Sequence, residues 1–331
     1  MSVGKGAVIF GCAGPVLLPE ERAFFRDTDP FGFILFARNV QDPDQLRRLT
    51  GALRDAVGRD APIMMDQEGG RVQRLRAPHW QEWDPPFDAV ARAGSVAAAE
   101  RMMTARAMVI AAELMAVGVD ANCAPVADVA RMATHPFLRN RCYGSDPGTV
   151  TRIGRAVADG FLAAGVLPVI KHMPGHGLSY VDTHHDLPTV DVSPADLARV
   201  DFAPFRALAD VPMAMTAHLV FSQIDPDHPA TQSPKMIRVI REEIGFKGLL
   251  MTDDLNMEAL HGSLADRTRT SLAAGVDIAL HCKGCMDQMI EVAKAAGEMG
   301  AAARARAEAA VAARPRSRVV VDQALLDLAH G

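Results

Sequence analysis

The run Lys171-His172-Met173-Pro174-Gly175-His176-Gly177, followed by Asp182-Thr183-His184-His185-Asp186, packs four histidines, a lysine and two acids into sixteen residues. It follows the apolar stretch Val166-Leu167-Pro168-Val169-Ile170, which reads as a buried strand. A buried strand running into a polar loop with glycine hinges is a common way to present chemistry. Asp182 and His184 lie two apart, so a carboxylate can orient the imidazole and stabilise its protonated form. That pair would be a general acid/base working near neutral pH. His185-Asp186 offers a similar pairing.

Asp253 follows Leu249-Leu250-Met251-Thr252 and reads as a carboxylate held at a strand end, suited to be nucleophile, base or metal ligand. Alternate strand side chains point apart, so Asp254 should do a different job, capping a helix that begins near Met257. Lys171 and His172 close their strand and should be fixed. With Asp66, Arg74 and Arg141 they make a set of donors and acceptors suited to a polyhydroxylated ligand. Plainer roles compete: Asp66 capping or pairing with Arg71, Arg141 as a surface cation, and each loop histidine as an exposed side chain.

A metal centre built from His172, His176, His184, His218 and Asp253 is the alternative chemistry. Pro174 and Gly175 disfavour a helix through His172 and His176, so their spacing does not place them on one helical face. No metal and no cofactor are therefore expected.

Eight apolar runs read as strands: Ala7–Gly11, Gly32–Phe36, Pro62–Met65, Val119–Cys123, Leu167–Ile170, Pro212–Thr216, Gly248–Thr252 and Val276–Leu280. Continuous apolar runs suit strands buried on both faces, as in parallel sheets. Helix starts are marked by Asp42-Pro43, Asp146-Pro147, Ser193-Pro194 and Ser233-Pro234, each an N-cap residue before a first-turn proline. Gly118, Gly165, Gly245 and Gly275 mark helix stops. Helix-to-strand connections are short, whereas the strand-to-helix segments Asp66 to Ser95, Ala124 to Ser145, Lys171 to Val192 and Ala217 to Gln232 are long. Elaboration of one face only describes an α/β, single-domain (β/α)8 TIM-type barrel, with irregularity allowed in its first strands. Asp66, Asp128, Lys171, His172, His218, Asp253, Asp254 and His281 would gather at its mouth. One catalytic domain spans 1–331, with a C-terminal helical tail from about 286. The segment Val292 to Arg314 reads as a solvated helix on the outside of the barrel. A doubly wound sheet is disfavoured because Gly11-Cys12-Ala13-Gly14 is a poor phosphate loop.

The chain has 331 residues, 49% of them apolar, and a net charge of -5 without a basic stripe, so nucleic acid is not an expected partner. Five cysteines do not make a disulfide framework, and Cys282-Lys283-Gly284-Cys285 reads as two incidental thiols. No apolar run is long enough to span a bilayer. The apolar run from Ala7 to Leu18 reads as a strand, Ala7–Gly11, turned by Gly14-Pro15, rather than as a leader, and a cytoplasmic location is expected.

Several motifs together resemble glycoside hydrolase family 3, in particular its bacterial β-N-acetylhexosaminidases of peptidoglycan recycling. They are Ile34-Leu35-Phe36-Ala37-Arg38-Asn39; Asp66-Gln67-Glu68-Gly69-Gly70-Arg71-Val72-Gln73-Arg74; Ala124-Pro125-Val126-Ala127-Asp128-Val129; Lys171 to Gly177; Asp182-Thr183-His184; and Thr252-Asp253-Asp254-Leu255 with Met257-Glu258. The resemblance implies Asp253 as nucleophile, His184 as acid/base oriented by Asp182, and Asp66, Arg74, Arg141, Lys171 and His172 as the sugar-binding set. Met173 stands where the family usually has Phe, and Cys142 where it often has Ser. Arg141 is aligned through Tyr143-Gly144, with Arg139 the neighbouring candidate. Family β-glucosidases continue into a second domain that carries a glutamate acid/base, so the Asp182–His184 pair is the expected proton donor here. The implied activity is retaining hydrolysis of terminal N-acetylglucosamine from fragments such as GlcNAc-1,6-anhydroMurNAc, with or without peptide. A phosphorylase on the same scaffold, a metal-dependent barrel hydrolase and a non-catalytic sugar-binding protein are the alternatives.

Overall fold

The structure is a computed structural model that describes residues 2–180, 187–314 and 319–331. Ten strands occur among them in chain order: β1 (Gly6–Phe10), β2 (Pro30–Leu35), β3 (Ile63–Met65), β4 (Ala121–Asn122), β5 (Leu167–Met173), β6 (Thr189–Val190), β7 (Met213–Thr216), β8 (Val220–Phe221), β9 (Leu249–Asp254) and β10 (Ile278–His281). Eight of these close a parallel barrel in the order β1-β10-β9-β7-β5-β4-β3-β2, while β6 and β8 form a separate two-stranded sheet. The eight apolar runs of the sequence fall on the eight barrel strands. The expected irregularity is a register shift between β1 and β2, at Gly6 and Ile9.

The helices begin where the sequence marks them. Asp42, Asp146, Ser193 and Ser233 each accept a hydrogen bond from the backbone amide three residues on, at 2.7–3.2 Å. Each is followed by proline at the first helical position, where no amide hydrogen is needed.

Strand alternation builds two apolar layers. Ile9, Met64, Leu167, Val169, Leu249 and Met251 fill the barrel interior, whereas Val8, Met65, Ile170 and Leu250 pack outward under the helices. Continued one step past the apolar residues, the inward parity reaches Asp66, Lys171 and Asp253. The site is therefore an extension of the barrel core into polar residues at the C-terminal strand ends.

The C-terminal segment differs from expectation. It divides into the helices Met286–Ala296, Ala301–Ala312 and Gln323–His330. Ala307, Ala310 and Val311 of the second helix are buried in the interior cluster with Val3, Ala7 and Phe31, so this helix covers the end of the barrel opposite the site. Arg306 pairs with Asp277, just ahead of β10, and Arg314 pairs with Asp120, just ahead of β4. Alanines make it look solvated in sequence, yet small side chains are what allow a helix to approach strand ends closely. No described helix is long and apolar enough to cross a membrane.

Candidate active site

The barrel mouth holds a cavity of about 540 Å³, lined by Asp66, Arg74, Arg141, Lys171, His172, His176, Asp253 and Asp254 together with apolar side chains such as Ile34, Phe36, Met215 and Leu280. Five predicted ligand contacts and the predicted nucleophile thus come to one cavity from the segment after β3 (Asp66, Arg74), the segment ahead of the Asp146-capped helix (Arg141), β5 (Lys171, His172) and β9 (Asp253). Asp128, His218 and His281, expected at the mouth, are buried behind it instead.

Charged groups pack tightly on one side. Lys171 Nζ lies 2.7 Å from Asp66 Oδ1 and 2.6 Å from Glu68 Oε1. Arg74 Nη2 reaches the other Asp66 oxygen at 3.2 Å. Arg141 donates to both oxygens of Glu68, at 2.9 and 2.8 Å. Arg141 is therefore no surface cation, and Asp66 pairs with Lys171 and Arg74 rather than Arg71. Arg139 donates to the Arg131 carbonyl and is not among the cavity-lining residues, which favours Arg141 of the two candidates.

Burial works against the ionised forms, but the neighbouring charges outweigh it. Lys171 and then Arg74 hold the Asp66 carboxyl well below its ordinary range. Arg141 and Lys171 bring Glu68 down to about 2. Asp66 and Glu68 in turn keep Lys171 charged by raising it above its usual value. Paired charges with fixed partners form a rigid surface whose leftover donors and acceptors can meet hydroxyl groups.

Backbone amides and side-chain amides set these positions. Gln67 Oε1 accepts from the amides of Arg74 and Leu75, at 2.8 and 3.1 Å, and Gln67 N donates to Asn122 Oδ1 at 2.9 Å. This ties the Asp66–Arg74 segment to β4. Gly177 packs so closely that a Cβ there would lie 1.9 Å from the Val129 carbonyl oxygen. Its glycine is required by close approach, not by a hinge. The Lys171–His172 and Met173–Pro174 peptide bonds are cis.

Asp253 Oδ1 accepts from the Asp254 amide at 2.8 Å, which fixes the direction of its carboxylate. Asp254 has the separate task expected of it but caps a turn: its Oδ1 accepts from Asn256 N at 3.1 Å and from Cys282 N at 3.2 Å. The next helix begins only at Leu264, capped by Ser263. All five cysteines are free; Cys282 lines the cavity and Cys285 is exposed.

His172 and His176 meet edge to face, with ring centroids 5.0 Å apart, although no helix joins them. Asp128, His172 and His176 bring potential metal ligands within 4.8 Å of one another, a grouping the sequence spacing alone did not foretell. Burial, and then the Arg141 cation, push His172 down to about 3. Burial, and then His172, do the same to His176, also to about 3. Both rings are neutral at ordinary pH. Asp182 and His184, the expected acid/base pair, lie outside the described residues.

Glu68 was not singled out in the sequence, and Asp128 was, but without its partner. Glu68 stands two residues after Asp66 on an extended segment, so both carboxylates face the same side, and that spacing was the available signal. Asp128 was visible as a polar strand-end residue, but nothing local marked its partner, forty-four positions away.

Residues 19–314 match the glycosyl hydrolase family 3 N-terminal domain. The chain belongs to glycosyl hydrolase family 3. A β-hexosaminidase from Bordetella parapertussis is 37% identical over 291 residues, covering 84% of this chain and 80% of that one. Another, from Alkalilimnicola ehrlichii, is 38% identical over 282 residues with the same coverage. Among solved structures, NagZ from Neisseria gonorrhoeae, in complex with N-trifluoroacetyl-D-glucosamine, superposes with a TM-score of 0.84 at 29% identity, covering 99% of this chain and 96% of that one. The family 3 barrel and its glycoside hydrolase chemistry thus account for a cavity built at the C-terminal strand ends.

Proposed function

We propose that the protein is a retaining β-N-acetylglucosaminidase that removes terminal N-acetylglucosamine from peptidoglycan-derived fragments such as GlcNAc-1,6-anhydroMurNAc, with or without peptide. The observation that carries this reading is the arrangement of Asp66, Arg74, Arg141, Lys171 and His172 around one cavity with Asp253. Asp66, Arg74, Arg141, Lys171 and His172 bind the sugar hydroxyls. The β-hexosaminidase relatives and the N-acetylglucosamine analogue bound to the Neisseria protein support the choice of sugar.

In the first step Asp253 attacks the anomeric carbon while His184, oriented by Asp182, gives its proton to the departing glycosidic oxygen. The anomeric C–O bond breaks and an ester to Asp253 forms. His184 then takes a proton from water, the resulting hydroxide oxygen bonds to the anomeric carbon, and Asp253 leaves as carboxylate. Two inversions give retention. Five free thiols, four of them buried, agree with a reducing compartment and hence with the cytoplasm.

Phosphorolysis uses the same first step, with phosphate replacing water in the second. The metal-dependent reading draws on the Asp128–His172–His176 grouping, but Arg141 lies 3.5 Å from His172 and opposes a second cation there. The test is to assay the purified protein on a muropeptide fragment, an aryl N-acetylglucosaminide and an aryl glucoside, with and without phosphate and a chelator. Free N-acetylglucosamine released with net retention, whatever the phosphate or chelator, is the expected result. Sugar 1-phosphate as product, preference for the glucoside, or loss of activity with chelator would each replace the reading.

A further inference from the structure

We infer that Asp128 is a positioning residue that fixes the tautomer of His172, so that His172 presents an Nε2 lone pair, met only by a long 3.5 Å contact from Arg141, that a hydroxyl of the bound sugar can share. Asp128 Oδ2 lies 2.7 Å from His172 Nδ1, behind the cavity wall that His172 lines. Its Oδ1 accepts from the His176 amide at 2.7 Å and the His172 amide at 3.3 Å. With two backbone donors on one oxygen, the carboxylate is committed as an acceptor, and the ring must supply hydrogen at Nδ1.

The far side of the ring agrees independently. His172 Nε2 faces Arg141 Nη2 at 3.5 Å, and a guanidinium has donors only. A hydrogen on Nε2 would set two donors against each other. Arg141 is itself held by Glu68 and cannot turn away. Asp128 on one side and Arg141 on the other therefore select a single neutral form, with hydrogen on Nδ1 and a lone pair on Nε2. Were Asp128 itself protonated, it could donate to Nδ1 and force the opposite tautomer, which Arg141 disfavours.

This arrangement completes the chemistry of the cavity wall. Lys171, Arg74 and Arg141 only donate, and Asp66 only accepts. A neutral imidazole held by its back edge adds an acceptor that carries no charge. Two hydroxyls on adjacent carbons, each both donor and acceptor, need such a mixture. The role assigned to the Nε2 lone pair rests on the sugar-site reading, whereas the tautomer itself does not.

The first experiment uses the wild-type protein without ligand. In ¹⁵N-labelled histidine spectra, His172 should show a protonated Nδ1 and an unprotonated Nε2 across neutral pH. An Nε2-protonated ring or an imidazolium overturns the proposal, whatever the enzyme's substrate. The second uses Asp128→Asn, whose amide can still accept the backbone bonds through oxygen but turns a donor toward Nδ1. The ring should flip tautomer and KM should rise about ten- to a hundredfold, from an acceptor replaced by a donor. In a His172→Gln background, where the amide oxygen can stand in for Nε2, the Asp128→Asn effect should shrink to about twofold or less. An undiminished effect there means Asp128 acts through the fold rather than through His172, and overturns the positioning role.

Discussion

Glu68 grips Arg141 through both carboxylate oxygens, at 2.9 and 2.8 Å, and shares one of them with Lys171 Nζ at 2.6 Å. Both cations are largely withdrawn from bulk water, with side-chain exposures of 11% for Arg141 and 3% for Lys171. Glu68→Ala strands the Arg141 charge and leaves Lys171 with Asp66 alone, and should destabilise the fold by about 3–5 kcal/mol. Glu68→Gln keeps the shape and should cost less stability, while raising KM as Arg141 loses its two-point hold. Denaturant unfolding of the two variants, paired with KM measurements, checks this; an Ala variant as stable as wild type would contradict it.

Acid should weaken the protein before it titrates most carboxylates. The pKa values of His172 and His176 are lowered from 6.5 to about 3, so between those values the unfolded chain binds protons that the folded chain does not. Stability is then full above 6.5 and declines as pH falls through that window. Glu68 adds a later loss, because its contribution is present above 4.5 and disappears as pH drops toward about 2. Urea unfolding followed from neutral pH downward should show a slope that His176→Gln reduces by about one proton. An unchanged slope in that variant would show that His176 is not held neutral by the fold.

Proton donation should matter in proportion to the basicity of the leaving group. His184→Ala should lower kcat by about 10²–10⁴ on a natural disaccharide. On a nitrophenyl glycoside, whose leaving group departs without a proton, the loss in the glycosylation step should be far smaller. Asp182→Asn should fall in the same direction by less. Equal losses on both substrates would remove His184 from the acid role.

The helix under the barrel offers a control remote from chemistry. Ala310 is buried against the interior cluster. Ala310→Leu should overpack that end and cost about 1–3 kcal/mol. KM should stay as it is, because the site lies at the opposite strand ends. A thermal melt with a parallel kinetic assay distinguishes the two effects.

The barrel was legible because its signals are local. Apolar runs gave the strands, and the Asp-Pro and Ser-Pro pairs gave helix starts that the structure keeps. Asp66, Lys171 and Asp253 were legible for the same reason, since strand parity alone carries them to the mouth. What stayed hidden depends on distant partners. The Asp128–His172 bond joins β5 to the loop after β4, and no spacing encodes it. Glycines at 175 and 177 looked like hinges, because sequence cannot distinguish freedom from close packing. The alanine-rich helix looked solvated because its few small apolar side chains give little amphipathic pattern, while the strand ends it covers are set by closure of the whole barrel.

In the proposed mechanism everything turns on a bond between Asp253 and the sugar. The most direct measurement is to incubate the enzyme with a slowly hydrolysed fluorinated N-acetylglucosaminide and locate the label by peptide mass spectrometry. A sugar adduct on Asp253, absent in Asp253→Asn, is the predicted result. A label on another residue, or turnover through the substrate's own acetamido group with no protein adduct, would contradict the account.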